Sequence, residues 1–110
     1  MMDSQKRESL LADVKLTLKI TWNNANTDKE LSSMIDDAEA YMNHLLGAEI
    51  DYSAPGMFHK LFLNYCLYAH SNCSNEFESA YLTDILRCQE YVAVQQRGTQ
   101  NEDKDENNSI

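Results

Sequence analysis

Residues 27–47, TDKELSSMIDDAEAYMNHLLG, constrain the fold of this chain more than any other stretch. Leu31, Met34, Ile35, Ala38, Tyr41, Met42, Leu45 and Leu46 recur at steps of three and four, which places them on one face of an α-helix. Both ends of that helix are written into the segment. Thr27 and Glu30 stand at capping-box spacing, where each side chain can satisfy a backbone N–H that the first turn leaves bare. Gly47 follows the last apolar pair, where a left-handed residue commonly stops a helix. Such a face is driven out of water, so the chain must fold as packed helices.

The flanking segments repeat the pattern. A first helix is expected over residues 4–19, with Leu10, Leu11, Val14 and Leu18 as its stripe and Asp13, Lys15 and Lys19 on the wet side. Ile20, Thr21 and Trp22, followed by Asn23, Asn24 and Asn26, read as a loop. Trp22 either folds back over the ends of the first two helices or faces a partner. The link over residues 48–56 holds the only proline; Pro55 suits the first turn of a helix and Ser53 is a fair cap.

The third helix, about residues 54–71, is the most apolar. Phe58, Leu61, Phe62, Tyr65, Tyr68 and Ala69 make one stripe, and Leu63, Cys66 and Leu67 add a second. A helix apolar on more than one side is central in its bundle or meets another subunit; in so short a chain it points to oligomerisation. The fourth helix begins near Asn75, at N-cap spacing from Glu78, and runs to about residue 96 along Phe77, Tyr81, Ile85, Cys88 and Val92, flanked by Leu82 and Leu86. It either breaks from the third helix at residues 72–75 or nearly continues it. Gly98 is expected to end the order. The fold class is therefore all-α: a compact bundle of about four helices in one domain over residues 1–97, with a disordered acidic tail over residues 98–110.

One proline and three glycines in 110 residues argue against a sandwich or barrel, which needs frequent turns. The net charge is −9, and the tail contributes −3 of it through Glu102, Asp103, Asp105 and Glu106 against Lys104. Lys6 and Arg7 are the only adjacent basic pair. Without clustered cations, sequence-specific nucleic-acid binding and docking to anionic membranes are disfavoured. There is no apolar run near about 18 residues, and the opening MMDSQKRESL is too polar for a signal peptide, so a soluble, cytoplasm-born protein is expected. Three cysteines without CxxC spacing read as reduced thiols.

Three constellations invite a chemical reading. Cys66, His70 and Cys73 carry metal-ligand atoms, but Cys66 and Cys73 lie roughly 10 Å apart along one helix, and His44 and His59 have no ligand spacing. Two small core hydrophobes and a surface or boundary histidine explain them better. Asp36, Asp37 and Glu39 fall on the polar side of the second helix, without the cleft that catalytic carboxylates need. Cys66 and Cys88 sit on apolar stripes, where burial raises a thiol pKa. No nucleophile elbow, phosphate loop or HExxH occurs. No catalytic, metal or cofactor-binding residue is expected, and no enzyme. Six tyrosines remain: Tyr52 in the link and Tyr41, Tyr65, Tyr68, Tyr81 and Tyr91 on helices. Each either rims the core or serves an interface; Tyr65, Tyr68, Tyr91 and Trp22 are the candidate subunit or partner contacts.

Two segments together resemble the small head–tail connector (adaptor) proteins of long-tailed bacteriophages and prophages. The first is LLADVKLTLKIT followed by DKELSSMIDDAEAYMNHLLG; the second is MFHKLFLNYCLYAHSNCSNEFESAYLTDILRCQEY, with its NYCLYA helix and FESAYLTDIL run. The resemblance covers about residues 10–92. It implies an all-helical subunit that assembles as a ring beneath the portal protein, extends the DNA channel and docks the stopper or tail-completion protein, some members being monomeric when free. It implies a place in the virion, at the head–tail interface, after assembly in the host cytoplasm. Where that family often carries an arginine after the YA, this chain has His70 and Asn72, so contacts using that charge do not carry over. A reading from another class is a small acidic cytoplasmic regulator or inhibitor that occupies a basic site on a protein partner.

Overall fold

The computed structural model describes residues 4–20 and 24–108, with the side chains of residue 25 and of residues from 98 onward outside the description. It has five helices: α1 (Ser4–Leu18), α2 (Ala25–Leu46), α3 (Met57–His70), α4 (Ser74–Ala80) and α5 (Leu82–Asn108). No strand occurs among the described residues. The count is five where four were expected, because the fourth element divides at Tyr81. The backbone there leaves helical values (φ −117°, ψ 24°), yet Tyr81 N–H still reaches Phe77 O and Ile85 N–H reaches Tyr81 O, both at 2.9 Å. The Tyr81 ring is wedged between Phe77, stacked at 5.3 Å, and Tyr68, edge-on at 5.5 Å.

Helix starts differ from the expected ones. α2 begins at Ala25 rather than Thr27, because Asn24 is the N-cap: extended, with its side-chain oxygen accepting from Asn26 N–H at 2.8 Å. An asparagine caps as well as a threonine does, and nothing between them resists helix. α3 begins at Met57, so Pro55 precedes the helix and Gly56 is the N-cap. Ser53 is not the cap; it closes a turn on Asp51 Oδ1. Gly56 has φ 141° and ψ −167°, a region that only glycine enters cheaply.

Three helices end alike. Lys19 (φ 60°), Gly47 (φ 77°) and Asn72 (φ 60°) are left-handed. The N–H groups just beyond reach back five residues, Ile20 to Lys15 O, Ala48 to Asn43 O and Cys73 to Tyr68 O, at 2.9, 3.2 and 2.8 Å. These bonds satisfy carbonyls that a helix end otherwise orphans. The break after α3 also settles its relation to α4: the two are separate. α5 runs past Gly98, where a stop was expected, with helical backbone through Asn108; no proline follows to prevent it.

α3 touches every other helix. Its two apolar stripes are thus largely absorbed within the chain, and they no longer argue for a second subunit. The core joins Leu10 and Val14 of α1, Ile35, Ala38, Met42 and Leu46 of α2, Leu61, Phe62 and Cys66 of α3, Phe77 of α4, and Ile85 and Cys88 of α5. Tyr52, from the link after α2, is fully buried among them and stacks on Phe62 at 4.6 Å. Its hydroxyl donates to Asn43 Oδ1 at 2.8 Å, and the same oxygen accepts Ile50 N–H at 3.2 Å. The body measures 61 × 32 × 19 Å along its principal axes.

Three substitutions test these features. Asn43→Ala strands the buried Tyr52 hydroxyl and the Ile50 N–H, and is expected to cost about 1–3 kcal/mol in urea unfolding. Gly47→Ala forces a Cβ into the left-handed region and should cost about 1 kcal/mol, whereas Lys19→Gly removes that strain and should gain up to about 1 kcal/mol.

Candidate functional site

α3 and α5 run side by side with an open seam between them. Lys60 and Asn64 stand one turn apart on α3; Asp84, Arg87 and Cys88 stand three and four apart on α5. With Met57, Leu61 and Tyr81 they line a cleft of about 320 Å³. A shallower hollow of about 430 Å³ adjoins it through Met57 and Arg87 and continues to Glu90, Tyr91 and Val94. The floor is apolar, since Leu61 and Cys88 belong to the core. The cleft carries two cations, Lys60 and Arg87, and one carboxylate, Asp84, and the hollow adds Glu90. Neither Lys60 nor Arg87 makes an ion pair among the described residues, whereas Lys6, Arg7 and Lys15 pair with Asp51, Asp36 and Asp28.

The thiol that lines the cleft, Cys88, has its pKa pushed up by burial first and Asp84 second, against a smaller opposing pull from Arg87. A thiol held protonated is a poor nucleophile. Cys66 is pushed up to about 12 by burial alone. Cys73 is also raised, by desolvation and by Glu76. Among the described residues no three His, Cys, Asp or Glu side chains gather as a metal site. Cys66 is buried, Cys73 half-buried and His70 exposed.

A second polar cluster ties the link to α1. His59 Nδ1 lies 2.6 Å from Tyr52 O, which can only accept, and Nε2 lies 3.4 Å from Asp13 Oδ2. Every partner is internal, so this cluster fastens the fold. Asp36 of the acidic trio pairs with Arg7, whose Nη2 also donates to Ser32 O at 2.7 Å. Asp37 is exposed and Glu39 half-exposed.

The tyrosines named from the sequence divide. Tyr65 stacks on Tyr41 at 4.6 Å and meets Phe77 edge-on at 5.0 Å. Tyr68 meets Phe77 and Tyr81 edge-on. Both are packed against the core, in an aromatic seam that joins α2, α3, α4 and the start of α5. Tyr41 closes the seam by donating its hydroxyl to Glu78 Oε2 at 2.9 Å. Tyr91 differs: it is 47% exposed and touches Phe58 edge-on at 5.7 Å. Trp22 lies outside the described residues. Lys60, Asn64 and Arg87 were not singled out from the sequence; their spacing is visible there, but the facing of the two helices is not.

No helix among the described residues is long and apolar enough to cross a membrane. Comparison with protein-family models, with curated proteins and with solved structures finds no match to this chain.

The thiol order is measurable. In the folded protein at pH 8, a maleimide or aromatic disulfide reagent should modify Cys73 first, with Cys66 and Cys88 reacting only on unfolding. Peptide mass mapping reads the order, and early loss of Cys66 would contradict the burial described.

Proposed function

We propose that this chain is a structural head–tail connector (adaptor) subunit of a long-tailed bacteriophage or prophage. In this reading copies form a ring between the portal protein and the stopper or tail-completion protein and extend the DNA channel. The sequence resemblance over residues 10–92 suggests the family, and the all-helical bundle is compatible with it. The observation that carries the proposal is a pair of exposed apolar flanks on α5. Leu82 and Leu86, 54% and 53% exposed, share by helical spacing the side of α5 that carries Gln89; Tyr91 and Val94, 47% and 53% exposed, edge the α3 seam. At about 100° per residue these pairs point in different directions. A ring needs that arrangement, because its interfaces join two different patches of one subunit. The acidic surface suits a conduit, since it repels the phosphate backbone that must slide past it. The chain acts by binding alone in this reading, with no reaction to catalyse, and it resides at the head–tail junction of the virion after assembly in the host cytoplasm.

The test is assembly. Deleting the coding sequence from the phage or prophage that carries it should leave DNA-filled heads and separate tails. Electron microscopy of the protein mixed with its portal should show an added ring. Leu82→Asp with Leu86→Asp, at positions open to solvent in the monomer, should leave the helical circular dichroism intact and cut ring formation about tenfold or more. Infectious particles that lack the polypeptide would sink the proposal. A one-to-one complex with a basic host protein, without rings, would favour the regulator instead.

A further inference from the structure

The cleft between α3 and α5 brings together Lys60 and Arg87, neither of which makes an ion pair among the described residues. Lys19, Lys29 and Arg97 line neither it nor the adjoining hollow. In a chain of net charge −9, a place where two such cations meet over an apolar floor is a place for carboxylates. Asp84 in the cleft and Glu90 in the adjoining hollow offset the two cations, so a purely acidic ligand would meet repulsion at those two positions. The complement is a segment with acids on both sides of a single base. This chain contains one: Glu102, Asp103, Lys104, Asp105 and Glu106.

That segment cannot reach the cleft of its own copy while α5 stays helical. Arg87 and Asp103 belong to one helix, and sixteen residues at about 1.5 Å each set them roughly 24 Å apart along its axis. The helix carries the acids away from the cleft. We propose that the α3–α5 cleft, through Lys60 and Arg87, receives the acidic segment 102–106 of a neighbouring copy, with Lys104 of that copy answering Asp84 or Glu90. The contact is head-to-tail: cleft on one copy, terminal segment on the next. Repeated, it closes a ring or runs as a filament. The proposal deepens the ring reading and rests on it for its biological setting, but the contact itself is testable on the purified chain. The adjoining hollow at Tyr91 and Val94 gives the incoming segment apolar surface beside the charges, and excluding water there strengthens each ion pair.

The experiment mixes full-length ¹⁴N and ¹⁵N protein at high concentration and low salt and adds a carbodiimide. The reagent joins an amine to a carboxylate with loss of water. Mass spectrometry should find Lys60 amide-linked to residues 102–106 in mixed-isotope pairs, and the link should fade at high salt. Lys60→Glu with Arg87→Glu should weaken self-association in sedimentation by about tenfold or more. A partner with Glu102, Asp103, Asp105 and Glu106 changed to Lys should restore it. Links found only within one isotope, links no stronger than those from Lys19 or Lys29, or an unchanged sedimentation profile would each overturn the proposal, as would a wild-type chain that never self-associates. If the double variant still forms rings on the portal, the cleft contact fails and the connector reading stands. If the cross-link forms but no ring appears in virions, the reverse holds.

Discussion

The burial of Tyr52 is the contact on which the arrangement of the first three helices depends. The residue sits in a connecting segment, yet its ring is stacked on Phe62 in the centre of the core. Its hydroxyl is held by Asn43 from α2, its carbonyl by His59 from α3, and His59 turns its other nitrogen to Asp13 of α1. A buried hydroxyl without a partner is costly, so Tyr52 can occupy the core only where Asn43 waits. That single requirement fixes the path of the link, and with it the angle at which α3 enters the bundle.

Around this anchor the two longest helices brace each other through side-chain amides. Gln89 and Gln96 of α5 donate to Leu45 O and Gly47 O, at 2.9 and 3.2 Å. These carbonyls belong to the end of α2, which has no later turn to satisfy them. α5 therefore closes α2 as well as covering it. The aromatic seam adds a second brace, as Tyr41, Tyr65, Phe77, Tyr68 and Tyr81 pass from α2 to the junction of α4 and α5 through successive ring contacts. Edge-on and offset rings hold relative orientation better than aliphatic contacts do.

Much of this was legible before any coordinates. Leu31, Ile35, Ala38, Met42 and Leu46 are buried, as the three-and-four spacing required, and so are Phe77, Ile85, Cys88 and Val92 along the last element. Gly47 ends α2 as expected. Helical periodicity is a local signal, and these are local consequences. Tyr52 was placed in a link and not in the core, because a loop residue's burial depends on helices distant in sequence. Lys19 and Asn72 were missed as left-handed closures, since a lysine there runs against side-chain preference. The division at Tyr81 has no glycine or proline to announce it. The cleft was invisible for the simplest reason: Lys60 and Arg87 are 27 positions apart, and periodicity says nothing about which two helices will lie side by side.

The drawn-out outline, 61 Å in one direction and 19 Å in another, has a consequence for how the free chain moves. A particle of that aspect tumbles end over end slowly and drags more solvent than a sphere of 12.6 kDa. One copy on its own will therefore elute from a sizing column somewhat ahead of its true mass.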